Sequence, residues 1–493
     1  MRIKVFVALL INMFMAIFVM GAFTGCGITT IFAKKISNFD ELMSASGDVI
    51  LTADIDCNFQ TISTRKFSTF DGQGHKIKNF VLTASGSTND GAFFSPSTSL
   101  IKNVTFEGVT ISGEKVLALS IVKIGGGGKI ENVHVRNSTI TATQSNYYPC
   151  YVGGIYSGAY NAGTHKSFVG TLGDHDTSYG AIIENCSAEN ITIEITGYSN
   201  FSGTSYEIFA GAIAAACNTV NGCYSKDCSI TATSQSIYSY PYVGGIVGYT
   251  QGSITNSYAE DNELIASATY YSKGAFSYYS TSKAYIGGIV GCTAPKDSSI
   301  NTKVQYCYSE GNNITAKSTG DLFAGGIAGR VNKIQVSQCY ANDNIFTATS
   351  YADGNANNVS RNLGGLIGYA GSSSIASSFT YNNQITENCT ITKTNDSRAG
   401  GLIIASDDTS VNCCGTFNNK MSCPQTDELC PRTITGIFDC IVTSEQNGNV
   451  NGCEVVSEDF WMTEDSIKNK LKLGGSYWRY SSTNPPKLDF SNN

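Results

Sequence analysis

Tyr242-Val243-Gly244-Gly245-Ile246-Val247-Gly248 returns as Tyr285-Ile286-Gly287-Gly288-Ile289-Val290-Gly291 and again as Phe323-Ala324-Gly325-Gly326-Ile327-Ala328-Gly329. Looser copies are Tyr151-Val152-Gly153-Gly154-Ile155, Phe209-Ala210-Gly211-Ala212-Ile213 and Leu363-Gly364-Gly365-Leu366-Ile367-Gly368, with a worn one at Ala399-Gly400-Gly401-Leu402-Ile403. From Gly211 onward the first glycines lie 33, 43, 38, 39 and 36 residues apart. A repeat of this period marks a solenoid, in which each unit is too small to bury its apolar face and stacked units together are not.

Working outward, each glycine segment is followed by a second one: Ile254-Thr255-Asn256-Ser257-Tyr258-Ala259, Val304-Gln305-Tyr306-Cys307-Tyr308-Ser309 and Val336-Ser337-Gln338-Cys339-Tyr340-Ala341. Small or apolar residues alternate with polar or aromatic ones, the period of a strand. A third short piece follows, as in Ile230-Thr231-Ala232 and Ile314-Thr315-Ala316. Aligning the copies puts Val133, Cys186, Cys223, Ser257, Cys307, Cys339 and Ser378 in one column, which reads as an inward ladder of small or thiol side chains. The glycine pairs call for positive φ or close backbone approach at a corner. Asn190, Asn262, Asn312 and Asn344 suit left-handed turns and side-chain to backbone hydrogen bonds. The expected architecture is all-β: a right-handed, single-stranded parallel β-helix with a short N-terminal capping helix, read from Ser37-Asn38-Phe39-Asp40-Glu41-Leu42.

Gly245-Ile246-Val247-Gly248, Gly288-Ile289-Val290-Gly291, Gly326-Ile327-Ala328-Gly329 and Gly365-Leu366-Ile367-Gly368 resemble the repeat of the GLUG-motif proteins, which are bacterial, exported and often adhesin-like. Two copies depart from it: Ser157 stands at the fourth position of the copy that begins at Gly154, and Ile404 at that of the copy that begins at Gly401. The resemblance spans roughly residues 36 to 490. It implies the solenoid and a life outside the cytoplasm, and its repeats carry no shared catalytic residues. Val49-Ile50-Leu51-Thr52 and 67–77 look like the first coils of a pectate-lyase-like helix.

The N-terminus agrees with export. Arg2 and Lys4 precede an apolar run from Val5 to Thr24, the pattern of a secretory signal. Phe23-Thr24-Gly25-Cys26 looks like a bacterial lipobox, departing from it at Phe23, and implies lipidation of Cys26. The competing readings are cleavage near Ala33 and an uncut membrane anchor. The domain plan is 1–26 signal or lipoprotein signal, 27–48 linker and N-terminal cap, 49–455 β-helix, and 456–493 C-terminal cap around Phe460-Trp461, Tyr477-Trp478 and Pro485-Pro486-Lys487-Leu488.

Composition narrows the function. Only 14% of the 493 residues are charged, with 51 Gly, 27 Tyr and 8 Pro, which suits strands and tight turns. The formal charge of −7 with scattered Lys and Arg argues against a nucleic-acid partner. The 17 Cys permit disulfides in an oxidising compartment, with Cys413, Cys414, Cys423, Cys430, Cys440 and Cys453 a plausible stapled region. Buried reduced thiols are the plainer reading.

Parallel β-helices include polysaccharide lyases and glycosidases, which need clustered acids on one strand face. Asp174-His175-Asp176 lies in a Gly- and Thr-rich insertion, Asp407-Asp408 suits a turn, and His75 reads as structural. No catalytic residue, metal ligand or cofactor is assigned. Polar insertions at 161–181, 197–207, 268–283 and 348–361 are the expected binding loops, and Tyr270, Tyr271, Tyr278 and Tyr279 the candidate ligand contacts. The expected function is binding of a host or environmental glycan or surface protein, with the membrane engaged through the N-terminal lipid or anchor. The alternative is a carbohydrate-active enzyme on the same fold.

Overall fold

The computed structural model describes residues 33–85, 90–95, 98–123, 128–144, 149–158, 180–198, 206–236, 238–269, 282–295, 302–351, 360–389, 397–405, 408–422, 441–443, 449–451, 454–455, 468, 470–473, 477–480 and 485–490. One repeat makes one rung of five strands: Ser239–Gly244, Val247–Thr250, Ile254–Thr255, Tyr258–Glu260 and Glu263–Ala268. Each pairs in parallel with its counterpart in the next repeat: Lys283–Gly287, Val290–Thr293, Lys303–Gln305, Tyr308–Glu310 and Asn313–Ser318. Five ladders therefore run up the molecule, and the chain is a parallel β-helix. The first ladder is a nine-stranded sheet and the second a seven-stranded one, while the other three merge into a single large sheet.

Stacking places like on like. In the third ladder Ile130, Ile183, Val220, Ile254, Val304, Val336, Ile375 and Val411 lie in register and wholly inside. β-Branched side chains fit the pleated inner wall, and burying each contributes roughly 1.5–3 kcal/mol. The first coils are filled instead by Phe67, Phe70, Phe80, Phe93, Phe94 and Phe106, with ring centroids 4.7–6.4 Å apart.

The glycine motif makes the corner between the first two ladders. A methyl carbon on Gly244 would sit 1.9 Å from the Val247 carbonyl oxygen. On Gly245 it would lie 2.1 Å from the Gly288 carbonyl of the next rung, and on Gly248 2.7 Å from the Ala210 nitrogen of the previous one. None of the three has positive φ. Of the two reasons foreseen for these glycines, close approach is the one that operates.

The next corner follows the third ladder. Asn256, Tyr306, Gln338, Ser377 and Cys413 turn it with φ between 48° and 58°, and the column of small residues comes immediately after. Cys186, Cys223, Cys307 and Cys339 are fully buried beside Ser257 and Ser378. The side chains repair the interrupted backbone. Ser257 Oγ donates to the Thr255 carbonyl at 2.8 Å and accepts from the Cys223 N–H at 3.1 Å, and Cys339 Sγ donates to the Ser337 carbonyl at 3.2 Å. Burial pushes the Cys186 and Cys339 thiols well above their usual range, so they are packed hydrophobes and not nucleophiles.

The asparagines need one correction. Asn190 is left-handed, as expected, but Asn262, Asn312 and Asn344 are not; the left-handed residues there are Asp261, Gly311 and Asp343, one position earlier. The turn aims the following asparagine inward. Asn262, Asn312, Asn344, Asn383 and Asn419 form a buried amide ladder, with Nδ2 to Oδ1 distances of 2.9 to 3.0 Å between rungs.

At the N-terminal end a helix, Phe39–Ser44, starts at Asn38, whose Oδ1 accepts from the Glu41 N–H at 3.0 Å. It connects Lys34–Ile36 to Gly47–Leu51, which pair with each other, so rung pairing already begins at Lys34. At the C-terminal end the described residues lie along the side of the solenoid. Trp478–Arg479 pairs antiparallel with Lys487–Leu488, and this strap packs on Tyr308, Tyr340 and Phe379, which lie four, three and two rungs before the last described one.

Candidate binding face

Cys26 and the candidate contacts Tyr270, Tyr271, Tyr278 and Tyr279 lie outside the described residues, as do Asp174, His175, Asp176, Asp407 and the segment 423–440. His75 Nδ1 is 3.2 Å from Asp54 Oδ1 in the early coils. Among the described residues no group of His, Cys, Asp or Glu could hold a metal ion, and no helix is long and apolar enough to cross a membrane.

The face with chemistry on it is the outer side of the fourth ladder. Strand alternation sends Ala188, Ser225, Ala259, Ser309 and Ala341 inward, and register stacks their outward neighbours. One outward column reads His134, Ser187, Tyr224, Tyr258, Tyr308, Tyr340 and Phe379. Successive rings lie 4.9, 4.8, 4.9 and 5.4 Å apart and are parallel within 8°. The next outward column reads Arg136, Glu189, Lys226, Glu260 and Glu310.

The two columns are tied together. Tyr224 OH donates to Glu189, which also pairs with Arg136 at 3.1 Å. Tyr308 OH donates to Glu260 at 2.7 Å, and Lys226 Nζ lies 3.2 Å from the other oxygen of Glu260. Burial, then the bond to Glu189, pushes the Tyr224 phenol up, so it stays a donor. The Glu260 hydrogen bond raises the Lys226 ammonium. These pairs are at least partly solvated and each adds little stability; what they do is orient the rings.

At the N-ward end His134 Nδ1 is 2.7 Å from Ser187 Oγ and Nε2 is 2.9 Å from Asn132 Oδ1. The pattern is that of a serine nucleophile with its base, but Ser187 is wholly buried, so no substrate atom reaches its oxygen. The cluster instead closes the ladder. Burial pushes the imidazole below its ordinary value, Arg136 adds to this, and Glu189 opposes it. A depressed folded-state value means that the unfolded chain binds the proton more readily. The stabilisation is then complete above a pH of about 6.5 and is lost as the pH falls. Urea midpoints should therefore drop between pH 7.5 and pH 5, and His134→Gln should flatten part of that slope. An unchanged slope would remove His134 from the account.

The strap covers the C-ward part of the tyrosine ladder. Trp478 lies 6.1 Å from Tyr340 and 5.8 Å from Phe379, and its Nε1 donates to Gln338 Oε1 at 2.8 Å. Phe490 reaches Tyr258 and Tyr308, both at 6.1 Å, and Lys487 pairs with Glu310. Tyr308, Tyr340 and Phe379 are thereby buried, whereas Tyr224 and Tyr258 stay partly exposed. A second outer stack, Tyr151, Phe209, Tyr242, Tyr285 and Phe323, at 4.7 to 4.9 Å spacing, is buried throughout. In the sequence Tyr258, Tyr308 and Tyr340 stand out only as strand residues. The signal for a face was their constant place immediately after the small inward residue of each repeat.

The GLUG motif model matches residues 239–262, from the first strand of the central rung to its ladder asparagine. No curated protein matches the chain by sequence. Among solved structures, a crystal structure titled "putative immunoglobulin A1 protease", from Bacteroides ovatus, is similar at 14% identity over 93% of each chain. Its TM-score of 0.28 gives no basis for transferring an activity. The chain thus carries a GLUG motif at 239–262, in one rung of a parallel β-helix whose neighbouring rungs repeat the same glycine pattern in register.

Proposed function

We propose that this is an exported bacterial surface protein that binds a macromolecular ligand on the outer side of its fourth ladder, anchored by lipid on Cys26. The observation that carries the reading is the half-bare tyrosine ladder. Tyr224 is held by the Tyr258 ring and the Glu189 carboxylate, and Tyr258 by the rings on either side of it, yet both remain partly open to solvent. A rigid aromatic face with few rotamers to freeze loses little entropy on binding. The carboxylates beside it are committed to cations and phenols, which favours recognition over acid-base chemistry on glycosidic bonds.

The test is an array of glycans and extracellular proteins probed with the full chain and with Tyr224→Ala. A ligand whose affinity falls at least tenfold in the variant, about 1.4 kcal/mol, supports the reading. Cleavage of a polysaccharide that Glu260→Gln abolishes would overturn it in favour of an enzyme. Mass spectrometry of the mature N-terminus tests the anchor.

A further inference from the structure

We infer that the bare end of the tyrosine ladder takes a polypeptide segment carrying aromatic and basic side chains, and not a sugar. This rests on the binding reading above and names the ligand class. The first argument is steric. Sugars stack on ring faces, but both faces of Tyr258 and one face of Tyr224 are occupied by neighbouring rings at 4.8 to 4.9 Å, and the other side of Tyr224 abuts the rung of the buried Ser187. Edges and tilted contacts suit aromatic side chains.

The second argument is continuity with an occupant already in place. The strap sets Trp478 tilted at 39° to 44° against Phe379 and Tyr340, lays Phe490 beside Tyr258 and Tyr308, and sends Lys487 to Glu310. It is a polypeptide bound through aromatic rings and an ammonium group. The surface it covers runs on without a break. Tyr308 and Glu310 are followed in register by Tyr258 and Glu260, then Tyr224 and Lys226.

The third argument is charge. Around the partly open Tyr224, and Tyr258 at the edge of the strap, stand Glu189, Glu260, Asp227 and Asp261 against Arg136 and Lys226, with Asp227 and Asp261 exposed. Glu189 and Glu260 are already paired, so an incoming Lys or Arg meets the exposed Asp227 and Asp261 within a net negative field, as Lys487 meets Glu310.

The probe is a labelled peptide with the sequence of residues 477–490, which holds Trp478, Arg479, Lys487 and Phe490. It is titrated into the full chain by fluorescence anisotropy. Saturable binding should weaken at least tenfold in Tyr224→Ala and in Glu189→Gln, with thermal midpoints close to the parent. It should also weaken with added salt and vanish when Arg and Lys in the peptide become Glu. Binding unaffected by both protein variants would mean exchange with the resident strap and would overturn the inference. Glycan binding lost in the same variants, with no peptide binding, would keep the face as the site and overturn the ligand class. If neither peptide nor glycan binding responds to Tyr224, both the inference and the binding reading fall.

Discussion

Gly288→Ala is expected to destabilise the solenoid by about 3 kcal/mol or more, the upper part of the range for overpacking a closed interior. The added carbon would lie 2.1 Å from the Gly326 carbonyl oxygen and 2.1 Å from Ser309 Oγ. The first is backbone of the next rung. It cannot retreat without stretching the ladder that joins Lys283–Gly287 to Asp321–Gly325. Gly74→Ala is the informative control. Gly74 has φ +84° and nothing within 4 Å of a new methyl, so its cost is conformational alone, roughly 1–2 kcal/mol. Urea denaturation of the two variants separates collision from backbone strain. Equal midpoints would show that the motif glycines are not selected by close approach.

Asn344→Ala should cost a similar amount by a different route. Asn344 Oδ1 accepts from the Asn312 backbone N–H and Nδ2, each at 3.0 Å, and Asn344 Nδ2 donates to the Ser309 carbonyl and to Asn383 Oδ1, each at 3.0 Å. Truncation leaves the Asn312 N–H and the Ser309 carbonyl buried without these partners. At roughly 1–3 kcal/mol for each unmet group, the loss is about 3 kcal/mol before any cavity is counted. Asn344→Asp is the sharper test. The carboxylate keeps the acceptor but aims negative oxygen at the Ser309 carbonyl and Asn383 Oδ1, where burial and repulsion favour the protonated form. Its folded-state value would be raised, so this variant should gain stability as the pH is lowered through it. Chemical denaturation at pH 7 and pH 4.5 checks the sign. A variant with the parent's stability at both would show that the amide ladder is dispensable.

Much of the interior was legible because a solenoid converts sequence period into vertical neighbours. The column from Val133 through Cys186, Cys223, Ser257, Cys307 and Cys339 to Ser378 follows from the repeat alignment, and it is buried throughout. The left-handed position expected at Asn262, Asn312 and Asn344 falls one residue earlier, at Asp261, Gly311 and Asp343. Whether an asparagine takes the left-handed position or the next one depends on where the strand ends, and Asp, Asn and Gly at the preceding position share that tolerance. The tyrosine face was only half visible. Alternation shows that Tyr258 and Tyr308 point away from Ala259 and Ser309, but whether an outward ring meets water depends on what else crosses it.

What the residues settled alone is what repeats: stacked rungs of short strands, glycines at a corner, and one inward column of small or thiol side chains. These follow from local pattern, because each copy meets the same neighbours above and below. What only tertiary structure decided is the fate of the outer surface. Trp478, Lys487 and Phe490 sit more than 100 residues along the chain from Tyr340, Glu310 and Tyr308. No period links them, so burying Tyr308, Tyr340 and Phe379 while leaving Tyr224 partly open depends on where a non-repeating segment comes to rest. Such contacts are set by shape and charge across the folded body, which a one-dimensional pattern does not encode.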